Sequence, residues 1–131
     1  MPSFRSPQIN LYSRDLSRTA TFYLGLGFVE TFRTPAIGSP VHIELKLDNF
    51  KLGIATLDAA QEDHGLRPPQ GDGHWIEIVL WTDDVDAAVG TLVSQGAPLV
   101  SPAHDFLDGK LRVAWVADPD GNPIQLVQKK E

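Results

Sequence analysis

Two groups of side chains have the types and the spacing needed to form a binding site. The first group lies in a stretch whose polar and apolar residues alternate as in a β-strand. His42, Glu44 and Lys46 occupy alternate positions with apolar residues between them, so one face of this strand is polar and the other apolar. The chain contains no cysteine, so any chemistry must use imidazole and oxygen groups. His42 and Glu44 are therefore candidate ligand-binding residues, and an exposed strand face is the simpler alternative.

The second group surrounds Glu77, which lies between two isoleucines in a stretch that also contains Trp75 and Trp81. A carboxylate next to aromatic rings can bind a cation. This pattern predicts that Glu77 sets the charge preference of a cavity and that the two tryptophans line it. In the alternative, Glu77 forms an ion pair with Arg112, which would neutralise both groups.

Alternation along the other strands extends this candidate cavity. Trp115 and Ala117 have the parity expected of the helix side, and Arg112 has the opposite parity. We predict that ten side chains point into one cavity: Gln8, Asn10, Tyr12, His42, Glu44, Trp75, Glu77, Trp81, Arg112 and Gln125. The residues expected to face the helices are Ile9, Leu11, Ile43, Leu45, Ile76, Ile78, Leu80, Val113, Ile124 and Leu126.

These strands belong to a weak internal repeat, in which residues 8–27 align with residues 77–96. Each copy begins with a strand. Asp15 and Asp84 then serve as helix N-caps, and glycines end both helices.

Three further strands are predicted after each helix. They span residues 28–33, 41–47 and 50–55 in the first copy and residues 99–100, 111–117 and 123–128 in the second. Asp48 and Asn49 form a hairpin turn in the first copy. Residues 58–73 show neither strand nor helix periodicity and are expected to form an exposed connector. The fold class is therefore α+β, one domain over residues 1–131 with two tandem βαβββ modules at about 5–57 and 74–130.

Composition excludes several classes of protein. The 131 residues carry 17 acidic and 11 basic side chains, a formal net charge of −6. No run of Lys or Arg could follow phosphates, so nucleic acid is not an expected partner. The apolar stretches are too short to cross a bilayer and no signal-peptide pattern is present, so we expect a cytoplasmic protein without membrane contact. His64, His74 and His104 lie in polar sequence typical of solvated loops.

Four stretches resemble the vicinal oxygen chelate superfamily, which includes glyoxalase I, extradiol dioxygenases and bleomycin-resistance proteins. They are residues 8–16, 22–28, 83–88 and 118–125, and they span both modules. The resemblance implies the glyoxalase/bleomycin-resistance fold, in which the two sheets curve around a half-barrel cavity. It also implies a homodimer.

In metal enzymes of this superfamily, the ligands lie on the first and last strands of each module. Carried over to this chain, the four positions are Gln8, Gly53, Glu77 and Gln125. One carboxylate, two neutral amides and a glycine are a poor donor set for a divalent ion. We therefore expect no cofactor; a bound divalent metal would be held by Gln8, Glu77 and Gln125.

The leading hypothesis follows the bleomycin-resistance-like branch, which lacks the metal ligands. It is a protein that binds a small amphipathic or cationic molecule in an aromatic, acidic cavity. The alternative is a metal-dependent isomerase, lyase or dioxygenase, in which Glu77 acts as ligand or proton-transferring base. His42 or Glu44 would then replace the ligand missing at Gly53. A third possibility is a non-catalytic module with a protein-binding face.

Overall fold

The computed structural model describes residues 3, 5–65 and 76–131. The chain divides into two compact units, Met1–Gly71 and Asp72–Glu131. Each unit contains one four-stranded mixed sheet, with two helices in the first unit and one in the described part of the second, which confirms the α+β class and the repeated module. Trp75 and the later part of the expected connector lie outside the described residues. Within the described ranges, no helix is long and apolar enough to cross a membrane.

In the first unit the sheet order is β1-β4-β3-β2, with β1 parallel to β4 and the other pairs antiparallel. Its elements are β1 (Ile9–Ser13), α1 (Leu16–Gly25), β2 (Val29–Thr34), β3 (His42–Leu47), β4 (Phe50–Thr56) and α2 (Leu57–His64). Leu47 pairs with Phe50 across a two-residue turn in which Asp48 has a φ of 51°. This confirms the hairpin predicted from Asp48 and Asn49.

Helix α1 begins where the sequence predicts, because the Asp15 side chain accepts a hydrogen bond from the backbone N–H of Arg18 at 3.1 Å. Its buried residues include Leu16, Ala20 and Tyr23. The helix packs on β3 and β4. Its inner face therefore covers the apolar side of the first sheet.

Helix α2 corrects the expectation that residues 58–73 are irregular throughout. The Thr56 hydroxyl accepts from the Ala59 N–H at 3.1 Å, and Gly65 ends the helix with a φ of 65°. Ala60 is the one buried residue within this helix. The segment lacks an apolar stripe, so its helical form depends on local caps, which leave no periodic pattern in the sequence.

In the second unit the sheet order is β5-β8-β7-β6, which repeats the order of the first. Its elements are β5 (Ile78–Trp81), α3 (Val85–Ser94), β6 (Leu99–Phe106), β7 (Leu111–Ala117) and β8 (Pro123–Lys129). Asp84 caps α3 by accepting from the Ala87 N–H at 3.0 Å, as predicted. Strand β6 is longer than the predicted two residues, because its pairing shifts register on both sides of Ser101 and the shifts interrupt the alternation.

Candidate functional site

Strand pairing places four of the predicted site residues on one face of the first sheet. Asn10 and Glu44 both pair with Gly53, and Tyr12 and His42 both pair with Ala55. Directly paired residues share a face of the sheet. The opposite face carries the buried residues Leu11, Ile43, Leu45, Leu52 and Ile54. The shared polar face is therefore as predicted, while the role of its residues in binding stays a prediction.

A group on this face that is linked by hydrogen bonds and one ion pair, which we call the Glu44 cluster, consists of Gln8, Asn10, His42, Glu44 and Lys51. Glu44 Oε2 is 3.2 Å from His42 Nε2 and accepts from Gln8 Nε2 at 3.4 Å. Gln8 Nε2 also donates to Asn10 Oδ1 at 2.9 Å. Lys51 Nζ lies 3.8 Å from Glu44 Oε1.

The environment of Glu44 favours its charged form. Burial raises the pKa of Glu44, but the hydrogen bonds from His42 and Gln8 and the charge of Lys51 outweigh that effect and lower the pKa below its usual value. Glu44 is therefore ionised at neutral pH and acts as the common acceptor of the cluster.

Gly53 has a role that the sequence did not reveal. A Cβ at this position would overlap Asn10 Oδ1, and it would lie 3.1 Å from both Asn10 Cγ and His42 Cε1. The amide and the imidazole therefore occupy the space above the glycine. A glycine within a strand often marks such a close approach.

The second unit has a corresponding face, which we call the Glu77 face; it carries Glu77, Val79, Trp81, His104, Trp115 and Gln125. Val79 and Trp115 both pair with Gln125. Trp115 Nε1 donates to Glu77 Oε1 at 2.9 Å. The His104 ring stacks on Trp115, with centroids 6.2 Å apart and planes at 22°. His104 thus belongs to β6 and to this face, whereas the sequence predicted a solvated loop.

Glu77 itself is exposed. Among the described residues, Trp115 is its one hydrogen-bond partner, and no basic side chain forms an ion pair with it. An indole N–H orients a carboxylate without neutralising it. The Glu77 face therefore presents a negative charge next to the Trp115 indole. Trp81, four residues further along the chain on the same face, is 66% exposed.

The predicted orientations of Arg112 and Trp115 are wrong. Arg112 pairs with Gln128, whose Oε1 accepts from the Val85 N–H of α3 at 2.9 Å, so Arg112 lies on the helix side of the sheet. There Arg112 Nε donates to Asp86 at 3.0 Å. Trp115 lies on the opposite side, with Glu77. An ion pair between Glu77 and Arg112 is therefore excluded in this structure.

The reason for this error is the composition of β7. Val113, Ala114 and Val116 are all fully buried, so both faces of the strand are apolar and alternation cannot distinguish them. Val113, which was expected to face the helix, consequently lies on the Glu77 side.

Arg112 is part of a charge network that joins β7 to its neighbours. Its Nη1 donates to Asp105 at 3.0 Å, and Lys130 Nζ donates to the other oxygen of Asp105 at 2.8 Å. The hydrogen bonds from Lys130 and Arg112 lower the pKa of Asp105. The Arg112 guanidinium is therefore paired with two carboxylates on the helix side of the sheet, and this pairing explains its position.

The residues at the four transferred metal positions do not fit a tight metal site. In the first unit, Gln8 offers an amide, and the space above Gly53 is filled by Asn10. In the second, Glu77 offers one carboxylate and Gln125 one amide. No group of three His, Asp or Glu side chains that could hold a metal occurs in the part of the chain that the structure describes. Hard divalent ions require more anionic oxygen than this set supplies.

The chain belongs to the glyoxalase/bleomycin resistance protein/dioxygenase superfamily. The family model with that description matches residues 5–126, which confirms the resemblance seen in the sequence at the level of the superfamily. A comparison with curated proteins gave no match.

Solved structures show the same fold. A hypothetical protein, SA1046, from S. aureus is 20% identical with a TM-score of 0.79, and the match covers 97% of this chain and 95% of that one. A glyoxalase-related enzyme from Fulvimarina pelagi is 26% identical with a TM-score of 0.76, covering 94% and 87%. A family enzyme from Burkholderia phytofirmans PsJN is 20% identical with a TM-score of 0.76, covering 95% and 98%.

Proposed function

We propose that this protein binds a small amphipathic or cationic molecule on the Glu77 face and that it does so without a metal ion. The proposal rests on the surroundings of the Glu77 carboxylate. Its carboxylate is oriented by the Trp115 indole at 2.9 Å and has no cationic partner among the described residues. A charge that is oriented but not neutralised favours a cation over an anion of the same shape.

The rings on this face account for the amphipathic part of the ligand. Trp81 is 66% exposed, and Trp115 stacks with His104. Aromatic side chains supply flat apolar contact area, and tryptophan also attracts cations to its ring face. The family description names bleomycin resistance proteins together with glyoxalases and dioxygenases, so it is consistent with a binding role and with the enzymatic alternative.

The experiment is calorimetric titration with three aromatic probes: benzyltrimethylammonium, benzyl alcohol and benzoate. We expect the wild-type protein to prefer the cation. Glu77→Gln should weaken binding of this cation by about 1–3 kcal/mol, because two opposite unit charges about 4 Å apart attract by about 1 kcal/mol in water and about 4 kcal/mol near a protein surface, and should leave the alcohol unaffected. Asp108→Asn, which removes the same charge from the β6–β7 turn, is the matched control.

Three outcomes would count against this function. If benzyltrimethylammonium does not bind the wild type, or if Asp108→Asn weakens it as much as Glu77→Gln does, Glu77 does not select the ligand. If the purified protein holds stoichiometric divalent metal and a chelator abolishes binding, the metal-dependent lyase, isomerase or dioxygenase becomes the better assignment.

The assembly and location are part of the same proposal. We infer a cytoplasmic homodimer whose partner is a small molecule rather than nucleic acid or membrane. Light scattering coupled to size exclusion should then give twice the chain mass of 14.4 kDa.

A further inference from the structure

The Glu44 cluster leaves two polar atoms available for a ligand. Asn10 Oδ1 accepts from Gln8, so the amide is oriented and its Nδ2 points away from that bond. His42 Nε2 faces Glu44, so its Nδ1 lies on the other side of the ring. Neither Asn10 Nδ2 nor His42 Nδ1 has a hydrogen-bond partner within residues 3, 5–65 and 76–131.

The hydrogen-bonding character of both atoms can be assigned. An ionised carboxylate only accepts hydrogen bonds, so the contact between Glu44 and His42 requires a proton on Nε2. A neutral His42 then carries a lone pair on Nδ1 and accepts there. Asn10 Nδ2 donates. With His42 neutral, the cluster therefore offers one donor and one acceptor.

The donor and the acceptor belong to side chains that lie next to each other above Gly53. Asn10 Cγ and His42 Cε1 are each 3.1 Å from the place where a Cβ of residue 53 would be. Asn10 is exposed, and 23% of the His42 side chain is accessible. The half-exposed Phe32 ring lies 6.4 Å from the His42 ring and adds an apolar border.

We propose that Asn10 and His42 form a binding site for a planar amide or lactam edge, which carries a carbonyl acceptor next to an N–H donor. The carbonyl oxygen would accept from Asn10 Nδ2, and the ligand N–H would donate to His42 Nδ1. This site lies in the first unit, takes a neutral group and does not depend on Glu77. Gly53 is its specificity-determining position, because any side chain there displaces Asn10.

The test is an NMR titration of the full chain with 2-pyridone, an aromatic lactam, while the imidazole nitrogens of His42 are observed. N-methyl-2-pyridone keeps the carbonyl but lacks the N–H. We expect 2-pyridone to shift the His42 Nδ1 signal and the methylated compound to bind about fivefold more weakly, since one hydrogen bond is lost.

Two substitutions remove the site in different ways. Asn10→Ala deletes the donor, and Gly53→Ala displaces the amide by the overlap described above. Each substitution should lower the affinity for 2-pyridone about fivefold. Lys46→Ala, on the same strand face, is the matched control and should leave the affinity for 2-pyridone unchanged. Because the two variants act independently, a folding defect in one does not remove the test.

Three results would overturn the proposal. They are equal affinity for 2-pyridone and its N-methyl analogue, no shift of His42 on addition of 2-pyridone, and unchanged affinity in a folded Gly53→Ala protein. Glu77→Gln should bind 2-pyridone as the wild type does. If benzyltrimethylammonium does not bind, the 2-pyridone titration can still succeed. The two proposals can therefore fail separately.

Discussion

Glu44 and Glu77 are carboxylates on the polar faces of two sheets with the same strand order, yet their surroundings differ. Glu44 is contacted by an imidazole, an amide and a lysine. Glu77 receives one neutral hydrogen bond from Trp115 and no counter-charge from the described residues. The repeated module thus uses one carboxylate to organise its neighbours and leaves the other to interact with a charged ligand.

The difference follows from position in the sheet. Glu44 lies on β3, between β4 and β2, and its side-chain partners come from its own strand, from β4 and from the residue before β1. Glu77 immediately precedes β5, which is an edge strand of its sheet. Partners from within the sheet can approach it from one side only. A carboxylate at an edge therefore keeps more of its charge available than one in the middle of a sheet.

The largest expected effect tests this contrast directly. Glu44→Ala should reduce the free energy of unfolding by about 1–2 kcal/mol, because it leaves Nε2 of the partly buried His42 without its partner. Glu77→Ala should cost less than about 0.5 kcal/mol, as expected of an exposed position. Urea denaturation of the full chain measures both values. Equal losses would show that the two carboxylates do not differ as described.

The second prediction concerns pH. The pKa of Glu44 is lower in the folded protein than in the unfolded chain, so the unfolded state binds more protons and stability rises with pH. The contribution of Glu44 should be complete above its unfolded pKa of about 4.3 and disappear as the pH falls through the lower folded value. Urea denaturation at several pH values should show the advantage of wild type over Glu44→Gln shrinking over that range. An advantage that grows on acidification would contradict this sign.

A smaller effect is expected when Trp115 is replaced by Phe. The substitution keeps an aromatic ring but removes the N–H that orients Glu77. Benzyltrimethylammonium should bind about threefold more weakly, and benzyl alcohol should be unaffected. Calorimetry checks both values. An equal loss for both probes would assign Trp115 a packing role only.

The smallest effect is expected at Arg112. Arg112→Met should leave cation binding unchanged, because Arg112 pairs with Asp86 and Asp105 on the helix side. The melting temperature should fall slightly, and the difference from wild type should decrease as salt screens the pairs. Tighter cation binding in the Arg112→Met variant would show that Arg112 competes with the ligand for Glu77.

Two helix caps and one hairpin turn that depend on nearby residues were predicted from the sequence alone, whereas α2, which also depends on local caps, was not. The caps at Asp15 and Asp84 bond to backbone groups three residues ahead, and the Asp48–Asn49 turn joins adjacent strands. Such interactions are encoded within a few positions, so residue type and spacing identify them. The same logic placed His42 and Glu44 on one face of their strand.

Tertiary structure alone decided which groups surround each carboxylate. Trp115 lies 38 residues from Glu77 in the chain, and Gln8 lies 36 residues from Glu44. β7 is apolar on both faces, so its side chains could be assigned only from the register of β7 against β8. Local patterns specify the strands and helices, but the pairing of distant strands determines which side chains meet.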